Sequence, residues 1–301
     1  MERKIWDVII IGGSYAGLSA AMALGRSLRQ VVVIDSGLPC NRYTPASHNF
    51  LLHDGTSPSL LAQQAQEQVR AYPTVELHSG LVVDGRKVGS EFEIITELEE
   101  QFLGKKILFA TGVVDIFPPL EGFAACWGKS ILHCPYCHGY EVRHQVLGVM
   151  ANGEMGFEFS RLLSNWSPNL TLLTNGPSTL TSEQTQLLKN HGIKIVEEEI
   201  LLLQHSQGYI NEVHFKNQAT LPLKALFARC DFRQHSDLPE RIGCELTPQG
   251  HVLVNDFQMT TVAGVYAVGD ATTPLRAVSA AVAAGTKAGA FLNKELIDES
   301  F

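Results

Sequence analysis

The residues best suited to chemistry lie in one stretch, His133-Cys134-Pro135-Tyr136-Cys137-His138-Gly139-Tyr140-Glu141. Two thiols separated by two residues can close into a disulfide or open into a dithiol, and the member with the lower pKa serves as the nucleophile. A zinc site would need a second Cys-x-x-Cys or a histidine pair at ligand spacing. Cys40, Cys126, Cys230 and Cys244 are single and scattered, so no metal is expected. A static disulfide belongs to secreted chains, and the first residues do not read as a secretory signal. Cys-x-x-Cys-His also matches a c-type haem attachment site, which nothing else in the chain supports. A redox-active pair is the better reading.

Several elements must place that pair against a partner. Asp7 to Gly12 is an apolar run ending at glycines, which predicts a buried parallel strand. Gly12-Gly13-Ser14-Tyr15-Ala16-Gly17 follows, then a small-residue helix, then the apolar strand Val31 to Ile34 ending in Asp35. Such a turn lets backbone N–H groups approach a pyrophosphate, and the terminal acid accepts hydrogen bonds from a ribose diol. Ser14 stands where the dinucleotide template has its second glycine. Residues 36–55, with Pro39, Asn41, Arg42 and Pro45, read as a long loop carrying His48 and His53. Either histidine could line a pocket, although histidines on polar surface loops are common. Residues 57–72 read as a helix, and 75–83 and 92–96 as strands of a meander. Lys105 to Gly112 is another buried strand with Ala110, Thr111 and Gly112 at its tip. Near the C-terminus an apolar strand ends in Gly269-Asp270, and a small-residue helix covers 277–291.

Composition bounds the class. The chain has 301 residues, 45% hydrophobic and 18% charged, ordinary for a globular enzyme of one large or two medium domains. A net charge of -8 without basic runs gives no attraction to nucleic acid. No apolar run reaches the ~20 residues that span a bilayer. Six cysteines, mostly unpaired by spacing, suit a reducing cytoplasm.

Gly12 to Gly17, Asp35, Ala110-Thr111-Gly112, the Gly269-Asp270 strand and Cys134-x-x-Cys137 occur in an order that resembles the low-molecular-weight thioredoxin reductase family, over nearly the whole chain. The resemblance implies an α/β fold of two Rossmann-like domains. An FAD domain would be built from residues 1–112 and 240–301. An inserted NAD(P)-type domain, 113–239, would carry the redox pair. FAD would meet Gly12, Gly13, Ser14, Ala16 and Gly17 at its pyrophosphate, and Asp35 and Ser36 at its adenosine ribose. Asn41, Arg42, Ala110, Thr111 and Gly112 complete that side. Gly269 and Asp270 would hold the ribityl chain, and the backbone of Arg276, Ala277 and Val278 would face the flavin ring. By the same resemblance Cys137 faces the flavin, Cys134 is the interchange thiol, and the protein is a homodimer.

Two departures modify this picture. In the second domain the phosphate turn is Ala151-Asn152-Gly153-Glu154-Met155-Gly156, which loses the first glycine and adds an acid. The following strand ends in Thr174-Asn175-Gly176-Pro177-Ser178, where the family places arginines for a 2′-phosphate. Nothing from Asn165 to Leu188 is basic, although a dianionic phosphate calls for Arg or Lys. NADPH in the usual mode is disfavoured, and NADH is left open. The second departure is His138, at a position where thioredoxin reductases have an Asp. An imidazole with a pKa near about 6.5 exchanges protons at neutral pH, and as a cation it lowers a neighbouring thiol's pKa. Cys-x-x-Cys-His-Gly-Tyr-Glu resembles the dithiol oxidase branch, which passes electrons from FAD to oxygen. The expectation is therefore a flavin-dependent thiol–disulfide oxidoreductase acting on a thioredoxin-like protein or a small disulfide, with Cys134, Cys137 and His138 catalytic. A dithiol oxidase of small molecules and a ferredoxin-driven reductase are the alternatives. His133 reads as a local hydrogen-bonding residue.

Overall fold

Unbroken runs of valine and isoleucine build the first sheet. The computed structural model describes residues 4–301. The reading of the first three residues as no leader lies outside the described residues. The strand Ile5–Ile11 pairs in parallel with Val31–Asp35 on one side and Gln101–Phe109 on the other. Val8 and Ile10 pack into a core with Leu24 and Leu292, while Ile9 and Ile11 pack into a second core with Phe92 and Phe109. Both faces are covered, which is why these strands read as continuous apolar runs rather than alternating ones. Burying each such side chain contributes about 1.5–3 kcal/mol.

The strand Gln101–Phe109 is shared between two partners. Its first half pairs antiparallel with Glu91–Thr96, and Ile107 to Phe109 pair in parallel with Val265–Ala267. Ile11, Phe109 and Ala267 are therefore in register, and the turns that follow them lie at one edge of the sheet. Residues 75–83, expected as one meander strand, divide at Gly80. Its N–H donates to the Asp35 carbonyl at 2.9 Å. Val75–Ser79 then joins the parallel edge beside Val31–Asp35, and Val82–Val88 pairs with Glu91–Thr96.

Two helices cover one face, Tyr15–Arg26 and Val278–Asp298. They approach closely because small residues face each other, Ala16, Ala20 and Ala23 against Gly285 and Gly289. The last helix runs past the expected 291 because Leu292 and Leu296 continue its buried stripe. Its end is tied to the sheet by a buried cation. The Lys106 ammonium bonds Glu295 at 2.7 Å and also Glu299, while the Tyr266 hydroxyl donates to Glu295 at 2.6 Å. Burial pulls the Lys106 pKa down, but the two carboxylates outweigh it and leave the pKa raised.

Residues 43–49 and 115–231 form a second unit. Its sheet has five parallel strands in the order Lys194–Val196, Leu170–Leu173, Leu147–Met150, Ala225–Ala228, Ile131–Leu132. A meander of Ile200–Ser206, Tyr209–Phe215 and Thr220–Pro222 packs its own apolar cluster around Phe123, Val213 and Phe215. The boundaries differ from the expected 113–239 in three places, the first being Val113 and Val114, which belong to the first unit. Residues 232–239 belong to the first unit, because Leu238 is buried in its core and Gln234 donates to the carbonyls of Gly250 and Ala271 at 2.8 and 3.0 Å. Residues 43–49, expected as first-domain loop, belong to the second, where Tyr43 and Thr44 lie against Gly128. Among the described residues no helix is long and apolar enough to cross a membrane.

Candidate active site

In the second unit Cys134 and Cys137 are joined as a disulfide, with Cα atoms 5.3 Å apart. The spacing works because Pro135 opens a single helical turn, Pro135–His138, and its fixed φ suits that first position. Cys134 sits at the cap, and the Cys137 N–H donates to the Cys134 sulfur at 3.2 Å. That donor favours negative charge on Cys134 when the bond opens. Tyr136, between the cysteines, is exposed and meets Trp166 edge-on at 5.6 Å.

His138 closes the turn. Burial, with the neighbouring His48 charge, pushes its imidazole down to about 4, so it is neutral at pH 7. His48 arrives from the 43–49 segment, its ring centroid 6.4 Å from that of His138 and nearly perpendicular to it. Its Nδ1 is 3.6 Å from Glu141 Oε1. Sequence reasoning gave His48 no role. Its partner lies ninety residues on, and nothing local announces the approach. His53 stays in the first unit, stacked on Phe50 at 5.8 Å. His133 stacks on Trp127 at 5.7 Å.

The first unit gathers the glycine-turn residues at the carboxyl edge of its sheet. Gly12 has φ +108°, and a Cβ there would lie 2.2 Å from the Ala110 carbonyl oxygen. A Cβ on Gly17 would lie 1.9 Å from the Gly12 carbonyl oxygen, so only glycine lets helix Tyr15–Arg26 start this close to the strand. Ser14 has φ −91°, a conformation open to any residue, and its side chain does not cap the helix. The Asp35 carboxylate accepts from the Gly13 N–H at 2.8 Å and from the Gly37 N–H at 3.2 Å. Ser36 is exposed. Asn41 donates to the Tyr15 hydroxyl at 3.3 Å, and Arg42 donates to the Pro39 carbonyl at 2.9 Å. The Thr111 hydroxyl is buried and has no hydrogen-bond partner among the described residues. Arg276 Nε lies 3.4 Å from Asp270, and its Nη2 donates to the Cys40 sulfur. The 21-residue helix Val278–Asp298 starts at Ala277, which offers no side-chain cap. Three further residues escaped the sequence reading. Gln234 reaches the Ala271 carbonyl, and burial lowers the pKa of His251, which lies against the backbone of Asp270 and Ala271. His235, lowered first by burial, lies in the field of Arg233, Arg42 and Asp35.

The corresponding turn of the second unit is built differently. Helix Gly153–Leu163 is capped by Asn152, whose Oδ1 accepts from the N–H groups of Gly153 and Thr179, both at 2.8 Å. The Asn152 amide donates to the Pro177 carbonyl at 2.9 Å. Glu154, in the first turn, accepts from Gln184. Two backbone donors at this turn, those of Gly153 and Thr179, are engaged within the chain.

The profile of the pyridine nucleotide-disulphide oxidoreductases matches residues 6–285. The chain belongs to that family. It is 31% identical over 309 residues to "Thioredoxin reductase tcpT" of Claviceps purpurea, covering 98% of this chain and 95% of the other. Among solved structures, the oxidoreductase from Agrobacterium tumefaciens superposes with a TM-score of 0.92 at 33% identity, over 98% of this chain and 99% of that one. HlmI superposes with a TM-score of 0.93 at 30% identity, over 98% and 94%. These thioredoxin reductase-like relatives bear out the resemblance, the two-domain α/β fold and a flavin-dependent disulfide oxidoreductase. Family membership implies FAD, and the first unit fits it. The Gly12 and Gly17 cradle, two long helices without side-chain caps, and the unpartnered Thr111 hydroxyl are what a bound dinucleotide would complete.

Proposed function

We propose that this enzyme oxidises small dithiols to disulfides, moving two electrons through Cys134–Cys137 to FAD and then to oxygen, without NADPH. The observation that carries the reading is the self-capped turn at Asn152, which with Glu154 and the absence of arginines weighs against NADPH. The state of His138 supports the direction. Dithiol oxidation needs a base beside the pair, and a neutral imidazole is one. A disulfide reductase needs an acid there.

Bound FAD would supply the two-electron acceptor that reopens the cycle with oxygen. In the first unit, Gly12, Gly13, Ser14, Ala16 and Gly17 would take its pyrophosphate. Asp35, with Ser36, Asn41 and Arg42 nearby, would take the adenosine end. Ala110, Thr111, Gly112, Gly269, Asp270 and the backbone from Arg276 to Val278 would hold the rest. Cys134 would exchange with substrate sulfur and Cys137 would face the flavin. A homodimer in a reducing cytoplasm completes the proposal. The names of the relatives favour a second reading, in which the pair reduces a thioredoxin-like protein with electrons from NADH, ferredoxin or another donor.

Anaerobic reduction of the FAD-loaded enzyme separates these readings. A simple dithiol should bleach the flavin absorbance, NADPH should not, and air should restore it. Rapid bleaching by NADPH would overturn the proposal in favour of a thioredoxin reductase. Dithiol bleaching without recovery in air would leave a reductase with another electron donor. In the same assay Cys134→Ser should retain its FAD and lose all dithiol turnover.

A further inference from the structure

We infer that His48 and Glu141 are positioning residues that carry the substrate's proton away from His138, which makes the segment Tyr43–Asn49 part of the active site. The inference rests on the dithiol reading above. Its basis is placement. The chain leaves the first unit after Arg42, contributes seven residues to the second, and returns at Phe50. That excursion sets the His48 ring 6.4 Å from the His138 ring, and His48 Nδ1 lies 3.6 Å from Glu141 Oε1. Glu141 is partly exposed, its side chain 38% accessible, so the row His138, His48, Glu141 runs from the disulfide to solvent.

The chemistry requires such an exit. A substrate dithiol that reduces the pair loses two electrons and two protons. One substrate sulfur bonds to Cys134 as the Cys134–Cys137 bond breaks, and Cys137 leaves as a thiolate. The second substrate sulfur then displaces Cys134 and closes the product disulfide. Both electrons now reside on the cysteine pair. One proton stays on the cysteine pair, and one remains to be exported. His138 accepts it, but burial makes the imidazolium unfavourable there. His48, its ring centroid 6.4 Å away and its Nδ1 3.6 Å from the Glu141 carboxylate, is the next group on the path. The other ionisable groups of the stretch are engaged elsewhere. Arg143 lies over the Tyr140 ring at 3.8 Å, Tyr136 packs on Trp166, and His133 stacks on Trp127.

The test is stopped-flow bleaching of the FAD-loaded enzyme by dithiothreitol, anaerobically, from pH 5 to pH 8. Rates of His48→Gln and Glu141→Gln are divided by the wild-type rate at each pH, which cancels the ionisation of the probe. His48→Gln should bind FAD normally and bleach at least about 10-fold more slowly at pH 7, a modest part of what proton transfer by a placed group contributes. The rate ratio should vary with pH, because a relay moves protons only while its imidazoles are neutral. Glu141→Gln should act in the same direction, and the double variant should be no slower than His48→Gln alone, as members of one path are not additive. A merely structural loss would be flat with pH and additive. Wild-type rates in His48→Gln at both ends of the pH range would overturn the inference while leaving the dithiol reading intact. Failure of the wild type itself to bleach would overturn that reading, and this one with it. Glu141→Gln, at the surface, carries the same test if His48→Gln does not fold.

Discussion

At the scale of single residues, His138 is where sequence and structure agree on type and differ on setting. The Cys-x-x-Cys-His spacing makes it a candidate proton carrier, but spacing says nothing of burial. Buried beside His48, it is held near 4, far below an unfolded imidazole at about 6.5. The consequence for stability has a definite sign. A depressed pKa means the unfolded chain binds the extra proton, so stability is full above about pH 6.5 and falls as pH drops towards 4. His138→Asn removes that proton and should flatten the decline. Denaturant melts at pH 7 and pH 4.5 measure it, and an unchanged difference between the two pH values in the variant would refute the burial argument. The Cys134–Cys137 disulfide and the close approach at Gly12 and Gly17 were legible because each arises at a fixed place in a local motif. His48 and His251 were not, because their neighbours come from distant parts of the chain.

At the scale of elements, the two glycine turns show how similar sequence patterns produce different ends. The helix Tyr15–Arg26 begins at Ser14 without a side-chain cap, and Gly153–Leu163 begins at Asn152 with one. Sequence pointed to the lost first glycine at Ala151 and the intrusive Glu154. It did not reveal that Asn152 and Thr179 would fill the turn, since Thr179 lies in the loop after the next strand. The bonds suggest a structural role for Asn152. Asn152→Ala should destabilise the second unit by about 1 kcal/mol, the usual worth of a cap, and leave FAD content unchanged. Loss of FAD from that variant would place Asn152 in cofactor retention instead. The split of residues 75–83 follows the same rule. Alternation predicts a strand, and the bond from Gly80 to Asp35 marks where the chain leaves one edge of the sheet before its second half joins the opposite edge.

At the scale of the whole molecule, the order of elements was legible because each βαβ unit writes its own strand, turn and helix in sequence. The limits of the units were not, because the excursion at Tyr43–Asn49 and the return at Phe232 depend on packing with remote residues. Two units with separate cores need not share one unfolding transition. A ligand that binds only folded protein stabilises the unit that holds it, by about 2.7 kcal/mol at a hundred times its dissociation constant. For a unit of this size that corresponds to an upward shift of about 5–10 °C. FAD added to flavin-depleted enzyme should therefore raise one thermal transition by that amount, the one belonging to the first unit. NADPH at millimolar concentration should move neither, because the donors at Asn152 are already bonded within the chain. Differential scanning calorimetry reads both. A shift of either transition with NADPH would mean that the second turn opens to a dinucleotide despite its cap, and the NADPH-independent cycle would have to be abandoned.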